Sequence, residues 1–387
     1  MKNPTVSFVV PCYKLAHFLP ECVSSILGQT YGDLEVLIMD DCSPDNTAEV
    51  ARSFQDPRVR HIRNERNLGA LPNYNKGISL SRGKYVWLIS ADDYLQRPYI
   101  VQHYVDLMEA NPSVNYVFCP CSVVKNGKET ERIGYLTLGD RDRVIAGRVF
   151  VQRLLHSNLV PAPAAMARRE CYERISFFPI NPVWAGVPIN MIWGGDMYLW
   201  CLFALDGDVG YFAEPMVCYR EHDLSSTSIV TKENLENCFF AEIAVRWMIK
   251  QKADAAGFRD VSEKCLETVA LEYARHLTSK QYRASTSTVT MARFEDSLCR
   301  NTASEAERHW IRGRVFAGMA DMLYHRGDLS RARECYRFAT NYDPWMLKVQ
   351  VKKLLLSLGR PGEWLREVLR RGYRSGITAI RSMQPGA

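Results

Sequence analysis

The first part of the chain alternates between apolar runs and amphipathic stretches. The β-branched run at 5–10 (TVSFVV) predicts a buried strand, and the residues from 17 to 29 place apolar side chains at helical spacing. Three more strand-like runs follow, LEVLIMD, VRHIRN and KYVWLIS, and helical patterns at 47–54 and in LGALPNYNKGISLSRG separate them. Such alternation is typical of a doubly wound, mostly parallel α/β sheet.

The hydrophobic pattern changes in the second half of the chain. Residues 95–225 mix strand-like and helical runs, whereas Glu, Ala, Arg and Leu recur at helical spacing from about Thr231 to Tyr342. We predict an α/β domain over residues 1–228 and an all-helical C-terminal domain over residues 229–387. The segment GDLSRARECYRFATNYDP has the spacing of one tetratricopeptide hairpin, but no second copy follows. A single helical hairpin used for packing is therefore favoured over a repeat array.

The composition is that of an ordinary globular protein. Of 387 residues, 47% are apolar and 24% charged. No apolar run approaches the roughly 20 residues needed to span a bilayer, and the N-terminus lacks the features of a signal peptide, so we expect a cytoplasmic protein. The 12 cysteines are scattered and form no C-x-x-C pair, which favours reduced, buried thiols over disulfides or structural zinc.

The net charge of +6 is concentrated in the C-terminal tail. From residue 346 to the end, the chain has nine Lys or Arg against two Glu, so the rest is close to neutral and no nucleic-acid partner is expected. The segment 364–373 sets Trp364, Leu365, Val368 and Leu369 at helical spacing among arginines. This tail predicts either peripheral contact with the inner face of an anionic membrane or packing on the helical domain.

Polar residues follow three of the predicted strands. In parallel sheets, ligands bind at the carboxyl ends of strands, which here carry Pro11 and Tyr13, Asp40 and Asp41, and Asp92 and Asp93. No G-x-G-x-x-G follows the first strand and no P-loop motif occurs, which excludes the usual dinucleotide and P-loop folds. One acidic pair alone is more commonly a turn or a helix cap. Two pairs on neighbouring strands need a cation or hydrogen-bond donors to offset their charge, and a divalent metal with a diphosphate meets that need.

Four ordered motifs resemble the inverting, GT-A-fold glycosyltransferases of family 2. They are VSFVVPCYKLAHFLPECVSSILGQTYGDLEVLIMDDCSPDNT, NERNLGALPNYNKGISLSRGKYVWLISADDYL, GGDMYLW and YREHDLSSTS. The resemblance covers roughly residues 5–228 and leaves out the helical remainder. It implies transfer of a sugar from a nucleoside-diphosphate donor, with UDP favoured, to a glycan or lipid-linked glycan acceptor in polysaccharide or cell-envelope synthesis.

The resemblance also implies roles for individual positions. Pro11 and Tyr13 would line the pocket for the base, and Asp41, with Asp40 nearby, would accept a hydrogen bond from it. Asn67 and Gly69 would contact the nucleotide. Asp92 would help to hold the ribose, and Asp93, together with His222, would hold Mn²⁺ or Mg²⁺ on the diphosphate. Asp196 matches the general base.

Each of these positions also has a plain structural interpretation. Asp196 opens an apolar helical run and could be a helix N-cap. His222 could be an ordinary surface histidine, Tyr13 could serve packing, and Asn67 and Gly69 could simply turn the chain. The chain also departs from the family pattern at Ser90, where many relatives have Asp, and at Gly195, where many have Glu.

Two other functional classes compete with a glycosyltransferase. A catalytically silent module that binds a sugar nucleotide or a partner would use the same pocket, but the presence of Asp196 disfavours it. A nucleotidyltransferase would need a glycine-rich phosphate loop after the first strand, and PCYKLAHF contains no glycine.

Overall fold

The computed structural model describes residues 3–125, 127–134, 137–184, 187–223, 225, 235–279, 290–302 and 304–357. The chain divides into two compact units, Met1–Cys265 and Leu266–Ala387. The predicted boundary at 228/229 and the basic tail at 364–373 both lie outside the described residues. Among the described helices, none is long and apolar enough to cross a bilayer.

The described strands all lie in the first unit. In chain order they are β1 (Val6–Cys12), β2 (Leu34–Asp40), β3 (Val59–Arg63), β4 (Tyr85–Leu88), β5 (Tyr94–Leu95), β6 (Val114–Phe118), β7 (Cys121–Lys125), β8 (Lys128–Gly134), β9 (Arg143–Ile145), β10 (Ala165–Arg168), β11 (Val183–Trp184), β12 (Val187–Pro188), β13 (Asp208–Tyr211) and β14 (Val217–Glu221).

The described helices alternate with the strands at first and then follow one another without strands between them. They are α1 (Leu19–Leu27), α2 (Thr47–Ser53), α3 (Ala70–Leu80), α4 (Ile100–Ala110), α5 (Gly147–Leu154), α6 (Arg169–Arg174), α7 (Gly195–Leu205), α8 (Leu235–Ala255), α9 (Arg259–Thr278), α10 (Met291–Asn301), α11 (Glu305–His325), α12 (Leu329–Tyr342) and α13 (Leu347–Ser357). The predicted β–α alternation over the first part of the chain is confirmed.

The main sheet has eight strands in the order β3-β2-β1-β4-β10-β6-β13-β9. Strands β3, β2, β1 and β4 run parallel, and β10 is inserted antiparallel between β4 and β6. The register pairs Cys12 with Asp40, and the Ala91 N–H donates to the Pro11 carbonyl (3.2 Å). The carboxyl ends of β1, β2 and β4 therefore lie side by side. A smaller sheet, β5-β14-β7-β8, brings β14 next to β5, just after the Asp92–Asp93 pair.

Strand β4 is held in the core by a stack of aromatic rings. The Trp87 ring stacks on Phe8 of β1 (5.2 Å between centroids) and on Tyr104 of α4 (4.8 Å). Its Nε1–H donates to the Pro163 carbonyl (2.7 Å), so the buried indole leaves no polar atom unpaired. Burial of such side chains stabilises the fold by about 1.5–3 kcal/mol each. The end of β4, which leads to the acidic pair, is therefore fixed in position.

Helix α7 is apolar around its whole circumference. Every residue from Met197 to Leu205 is buried, and helix α8 packs against α7. A helix without a polar face has to be covered on all sides. Helix α8 supplies part of that cover and belongs to the same compact unit as the sheet.

The second unit is helical throughout its described residues. Helices α11 and α12 pack against each other, and the turn between them uses Gly327 at a φ of 81°, which favours glycine. Ala332, Tyr336 and Ala339 of α12 are buried. The Tyr336 hydroxyl donates to Asp321 of α11. The segment singled out as a hairpin in the sequence thus forms α12 and pairs with the preceding helix.

Candidate active site

Asp40, the first acid at the end of β2, is fully buried and paired with protein groups. Its Oδ1 accepts a hydrogen bond from the Ser43 N–H (2.8 Å), and its Oδ2 accepts one from Arg63 Nη1 (2.7 Å). The His61 Nε2 lies 3.2 Å from the same oxygen. Asp40 therefore organises the turn that follows β2.

Asp41 holds the loop that leads into α3. Its Oδ1 accepts hydrogen bonds from Asn64 Nδ2 (2.9 Å) and the Leu68 N–H (2.8 Å), and its Oδ2 accepts one from the Gly69 N–H (2.9 Å). The Asp41 N–H donates to the Cys12 carbonyl (3.1 Å), which ties this carboxylate to the end of β1. A nucleotide base that contacts Asp41 would have to do so beside these three hydrogen bonds.

The remaining residues predicted for the base pocket lie close to Asp41. Asn67 is exposed, and its Oδ1 accepts the Gly69 N–H (2.9 Å). Tyr13 is 39% exposed, and Lys14 after it adopts a φ of 60°. A non-glycine residue in this left-handed region is strained, and such residues cluster at functional sites. Tyr13 and Asn67 therefore both present surface at the shared ends of β1 and β2.

The two carboxylates of the Asp92–Asp93 pair have different hydrogen-bond partners. Asp93 is buried, its Oδ1 accepts the Arg220 N–H (2.9 Å), and burial together with the charge of Asp92 raises its pKa well above the usual value. Asp92 Oδ2 lies 2.9 Å from His222 Nε2, and Asp92 Oδ1 is buried without a hydrogen-bond partner. A buried acceptor without a partner within the protein is costly, so this oxygen is a candidate contact for a ligand.

Arg220 holds the backbone of the acidic pair and was not predicted from the sequence. Its Nη1 donates to the Asp92 carbonyl (2.5 Å), and its Nη2 forms an ion pair with Glu21. Its guanidinium carbon lies 4.9 Å from the ring centroid of Phe18 and 4.6 Å from that of Tyr94. This buried cation offsets the like charges and fixes the loop between β4 and β5.

One cavity is lined both by the acidic pair and by Asp196, the predicted general base. It is lined by Pro11, Leu71, Tyr74, Leu88, Ser90, Asp92, Asp93, Ala162, Pro163, Phe178, Met191, Ile192, Asp196, Tyr219 and Ser225. The cavity thus contains Pro11, Asp92, Asp93 and Asp196 of the predicted site. Asp40 and Asp41 belong instead to the turn and loop beside it.

Asp196 lies in the first turn of α7 and is half-buried. Its Oδ1 accepts the Met197 N–H (2.7 Å), and its Oδ2 accepts Asn158 Nδ2 (2.8 Å). Burial raises the pKa of this carboxyl to about 6, although both hydrogen bonds favour the ionised form. A carboxylate with a pKa near the working pH, facing a cavity, is suited to accept a proton.

Asn158 orients the Asp196 carboxylate and was missed by the sequence analysis. It lies on the loop after α5, and its Oδ1 accepts the Val160 N–H (3.2 Å). That bond identifies which end of the amide is oxygen, so the Nδ2 group faces Asp196. A lone Asn in a loop carries no sequence signal, and the contact spans 38 residues of chain.

Residues of helix α8 bind the two segments that carry Asp196 and Asn158. Trp193 Nε1 donates to Glu242 Oε1 (2.9 Å), and the buried Arg246 donates to Glu242 and to the Leu155 carbonyl (3.1 Å). Trp193 lies three residues before Asp196, and Leu155 lies three residues before Asn158. One ion pair on α8 therefore fixes both segments that carry the Asp196–Asn158 pair.

The residues at the acidic pair fit a divalent metal that is shared with a phosphate ligand. The unpartnered Oδ1 of Asp92 is a carboxylate oxygen of the kind that Mg²⁺ and Mn²⁺ prefer, and His222 lies beside it. In the described part of the chain, no three His, Cys, Asp or Glu side chains gather into a metal cage. One or two protein ligands are usual where substrate phosphates complete the shell. Asp92 Oδ1 has no hydrogen-bond partner, whereas Asp93 Oδ1 accepts the Arg220 N–H. The metal-binding roles of both acids stay predictions.

The fold and the acidic pair at the end of β4 define a GT-A-type α/β domain followed by helices. Residues 7–175 match the family model described as Glycosyl transferase family 2. The resemblance to glycosyltransferase family 2 that was noted in the sequence is confirmed over this segment of the chain.

Individual relatives align over part of their length. The chain is 38% identical over 111 residues to Glycosyltransferase GlyG of Streptococcus pneumoniae, which covers 28% of this chain and 37% of that protein. It is 26% identical over 220 residues to the uncharacterized glycosyltransferase alr2836 of Nostoc sp.. That alignment covers 56% of this chain and 65% of the Nostoc protein. The chain thus spans less than two thirds of the length of these curated relatives.

A solved structure shares the fold over most of both chains. Residues 1–349 of TarS from S. aureus, in complex with UDP-GlcNAc, match with a TM-score of 0.54 at 14% identity. The match covers 88% of this chain and 91% of the TarS chain. At this identity the likeness concerns the fold, and the predicted class, a GT-A sheet followed by helices, is confirmed.

Proposed function

We propose that the chain is an inverting glycosyltransferase that moves a sugar from a nucleoside-diphosphate donor to an acceptor hydroxyl. The observation that carries this proposal is that Asp196 and the Asp92–Asp93 pair line one cavity at the carboxyl end of a GT-A sheet. Carboxylates from two separate segments that line one cavity fit a reaction that needs a base for the acceptor and a site for the leaving diphosphate.

The chemistry is a single displacement at the anomeric carbon. Asp196 takes the proton from the acceptor hydroxyl as its oxygen forms the new C–O bond, and the bond to the diphosphate breaks on the opposite face. Asn158 keeps the Asp196 carboxylate oriented and favours its ionised form. No second carboxylate has to act as a nucleophile, because no covalent sugar–enzyme intermediate forms.

The donor would lie across the shared strand ends. Tyr13 and Asn67 would contact the nucleoside, while Asp41 holds the loop that carries Asn67 and Gly69. Asp92, with His222, would hold Mn²⁺ or Mg²⁺, which supplies positive charge against the growing negative charge of the diphosphate. Arg220 keeps the Asp92 backbone in place during that step.

The structural comparison guides the choice of donor and acceptor to test. The TarS structure with a similar fold contains UDP-GlcNAc, so UDP-sugars are the first donors to test. A growing glycan, free or lipid-linked, would be the acceptor. A panel of UDP-, GDP- and dTDP-sugars, scored by release of the nucleoside diphosphate in the presence of Mn²⁺, tests the proposal. Binding of a sugar nucleotide without any release would favour the silent binding module instead.

The pH dependence should report the ionisation of Asp196. Because the base works only as the carboxylate and burial raises its pKa to about 6, kcat/KM should be low below pH 5 and rise through about pH 6 to a plateau. An ordinary aspartate would give that rise near pH 4. Initial rates in buffers of constant ionic strength measure this profile, and a rate that is independent of pH between 5 and 7 would contradict it.

Removal of the Asn158 amide should shift that profile. In Asn158→Ala the carboxylate loses a hydrogen-bond donor, so the pKa of Asp196 rises and the acidic limb of kcat/KM moves up by about one pH unit. Ser157→Ala, an exposed change on the same loop, is the matched control and should leave the limb in place. A lower rate with an unshifted limb would mean that Asn158 only stabilises the fold.

A further inference from the structure

The end of the cavity next to Asp196 has an apolar wall. Tyr74 of α3, Phe178, Met191 and Ile192 all line the cavity. Met191 and Ile192 precede Asp196 in the chain by a few residues, so this wall borders the carboxylate that accepts the proton. The proposed mechanism assigns no task to this wall.

The Phe178 ring lies next to Gly195, in the first turn of α7. A Cβ at position 195 would stand 3.5 Å from Phe178 Cδ1 and 3.7 Å from Met191 Cβ, so both residues lie at contact distance from the start of any side chain placed here. A long side chain at 195 would compete with the ring for this space. The aromatic wall therefore lies next to the residue directly before Asp196.

The position of Phe178 is fixed by hydrogen bonds from a distant helix. Asn75 of α3 accepts the Phe178 N–H through Oδ1 (2.9 Å) and donates to the Phe178 carbonyl through Nδ2 (2.9 Å). Tyr74 contacts the Phe178 ring edge-on, with 6.0 Å between the centroids. The two residues before Phe178, Ser176 and Phe177, have φ values of 60° and 68°, which are strained for residues other than glycine. The chain thus holds this ring at the cavity against a local cost.

The charges of the cavity restrict what can lie on this wall. Among the described residues that line it, the charged side chains are Asp92, Asp93 and Asp196, and none is Lys or Arg. An anionic group placed beside Asp196 would meet a carboxylate without a cation to offset the repulsion. A neutral group with an apolar face and a hydroxyl at its edge fits both the wall and the base.

We propose that Phe178, with Tyr74 and Ile192, forms the acceptor subsite and binds an uncharged sugar ring. The C–H face of the ring packs on the aromatic wall, and the hydroxyl at its edge points towards Asp196. This inference rests on the proposed function, because it assigns the Asp196 end of the cavity to the acceptor. It excludes uronic acids and phosphorylated sugars as the group that occupies the subsite.

The test measures binding of simple glycosides to the full chain by saturation-transfer NMR. The probes are methyl β-glucoside, methyl β-galactoside and methyl N-acetyl-β-glucosaminide, with methyl β-glucuronide as the anionic counterpart, each with and without UDP and Mn²⁺. At least one neutral glycoside should bind, and Phe178→Ala should weaken it by about three- to tenfold, the scale of a lost aromatic contact. Ile192→Ser, at a position 36% exposed, should weaken it too and is less disruptive to folding. Val183→Ser, 69% exposed and outside the wall, is the matched control.

The outcomes distinguish a failure of the subsite proposal from a failure of the proposed function. Calorimetric titration of wild type with UDP tests the donor end by itself, so failure there counts against the proposed uridine donor and not against the wall. The subsite proposal is overturned if no neutral glycoside binds wild type. It is equally overturned if Phe178→Ala and Ile192→Ser both bind like wild type, or if the glucuronide binds as tightly as the neutral probes.

Discussion

Asp196→Asn is expected to lower the rate of sugar transfer by about 10²-fold or more. The substitution keeps the size of the side chain, and its single amide oxygen can keep one of the two hydrogen bonds, from Met197 or from Asn158. An amide cannot take the proton from the acceptor hydroxyl, and the pKa near 6 that suits the carboxylate to this task is lost with it. The loss should therefore appear in kcat, while UDP binding, measured by calorimetry, stays close to that of wild type.

The matched control is Asp206→Asn, at the C-terminal end of the same helix. Asp206 is exposed, so its loss of charge alters α7 without touching the cavity. This variant should transfer sugar at the wild-type rate. If Asp196→Asn also keeps near-normal turnover, the base is another residue and the proposed mechanism is wrong.

Asp92→Asn is expected to abolish the effect of a divalent metal on donor binding. Asp92 Oδ1 is buried and unpartnered, and an amide at this position would bring in a donor where a cation is proposed. In wild type, UDP should bind more tightly with Mn²⁺ than with chelator. In the variant the two conditions should give the same affinity, and transfer should fall by about 10²-fold, because the metal no longer offsets charge on the diphosphate.

The neighbouring acid provides the control for this prediction. Asp93 Oδ1 accepts the Arg220 N–H, and the proposed metal contact is assigned to Asp92. In Asp93→Asn the amide oxygen can accept the same hydrogen bond, so the variant should retain a Mn²⁺-dependent gain in UDP affinity. Calorimetry of both variants, with melting temperatures to check folding, decides between the two acids. If Asp93→Asn loses the metal effect and Asp92→Asn keeps it, the ligand assignment is reversed.

The parallel part of the sheet could be predicted because its signal is local. Strands β1 and β2 are buried at every position, and such strands read as continuous apolar runs in the sequence. The antiparallel strand β10 could not be predicted in the same way. Ala165–Arg168 is a short run that pairs with β4, about 80 residues earlier, and its place between β4 and β6 depends on pairing that leaves no periodic pattern.

For the candidate site, the residue types were visible in the sequence and their partners were not. Acids at the end of a predicted strand indicated Asp92, and the resemblance to the family indicated Asp196. The bonds that give these acids different properties come from Arg220 and Asn158, which are distant in sequence and belong to no spacing rule. The same holds for Asp41, whose carboxylate is occupied by the loop it holds. Residue type indicates a chemistry, but its long-range contacts decide which atom is free to perform it.

The packing of α8 on α7 has a practical consequence for work with fragments of this protein. A fragment cut at residue 175, where the family match ends, lacks Asp196 altogether. A fragment cut at residue 228 keeps α7 but exposes the apolar side that α8 covers, and it leaves Trp193 without Glu242. An exposed apolar helix of this kind promotes aggregation during expression. Fragments intended for crystallisation or for exchange of modules between relatives should therefore retain the chain through Ala255.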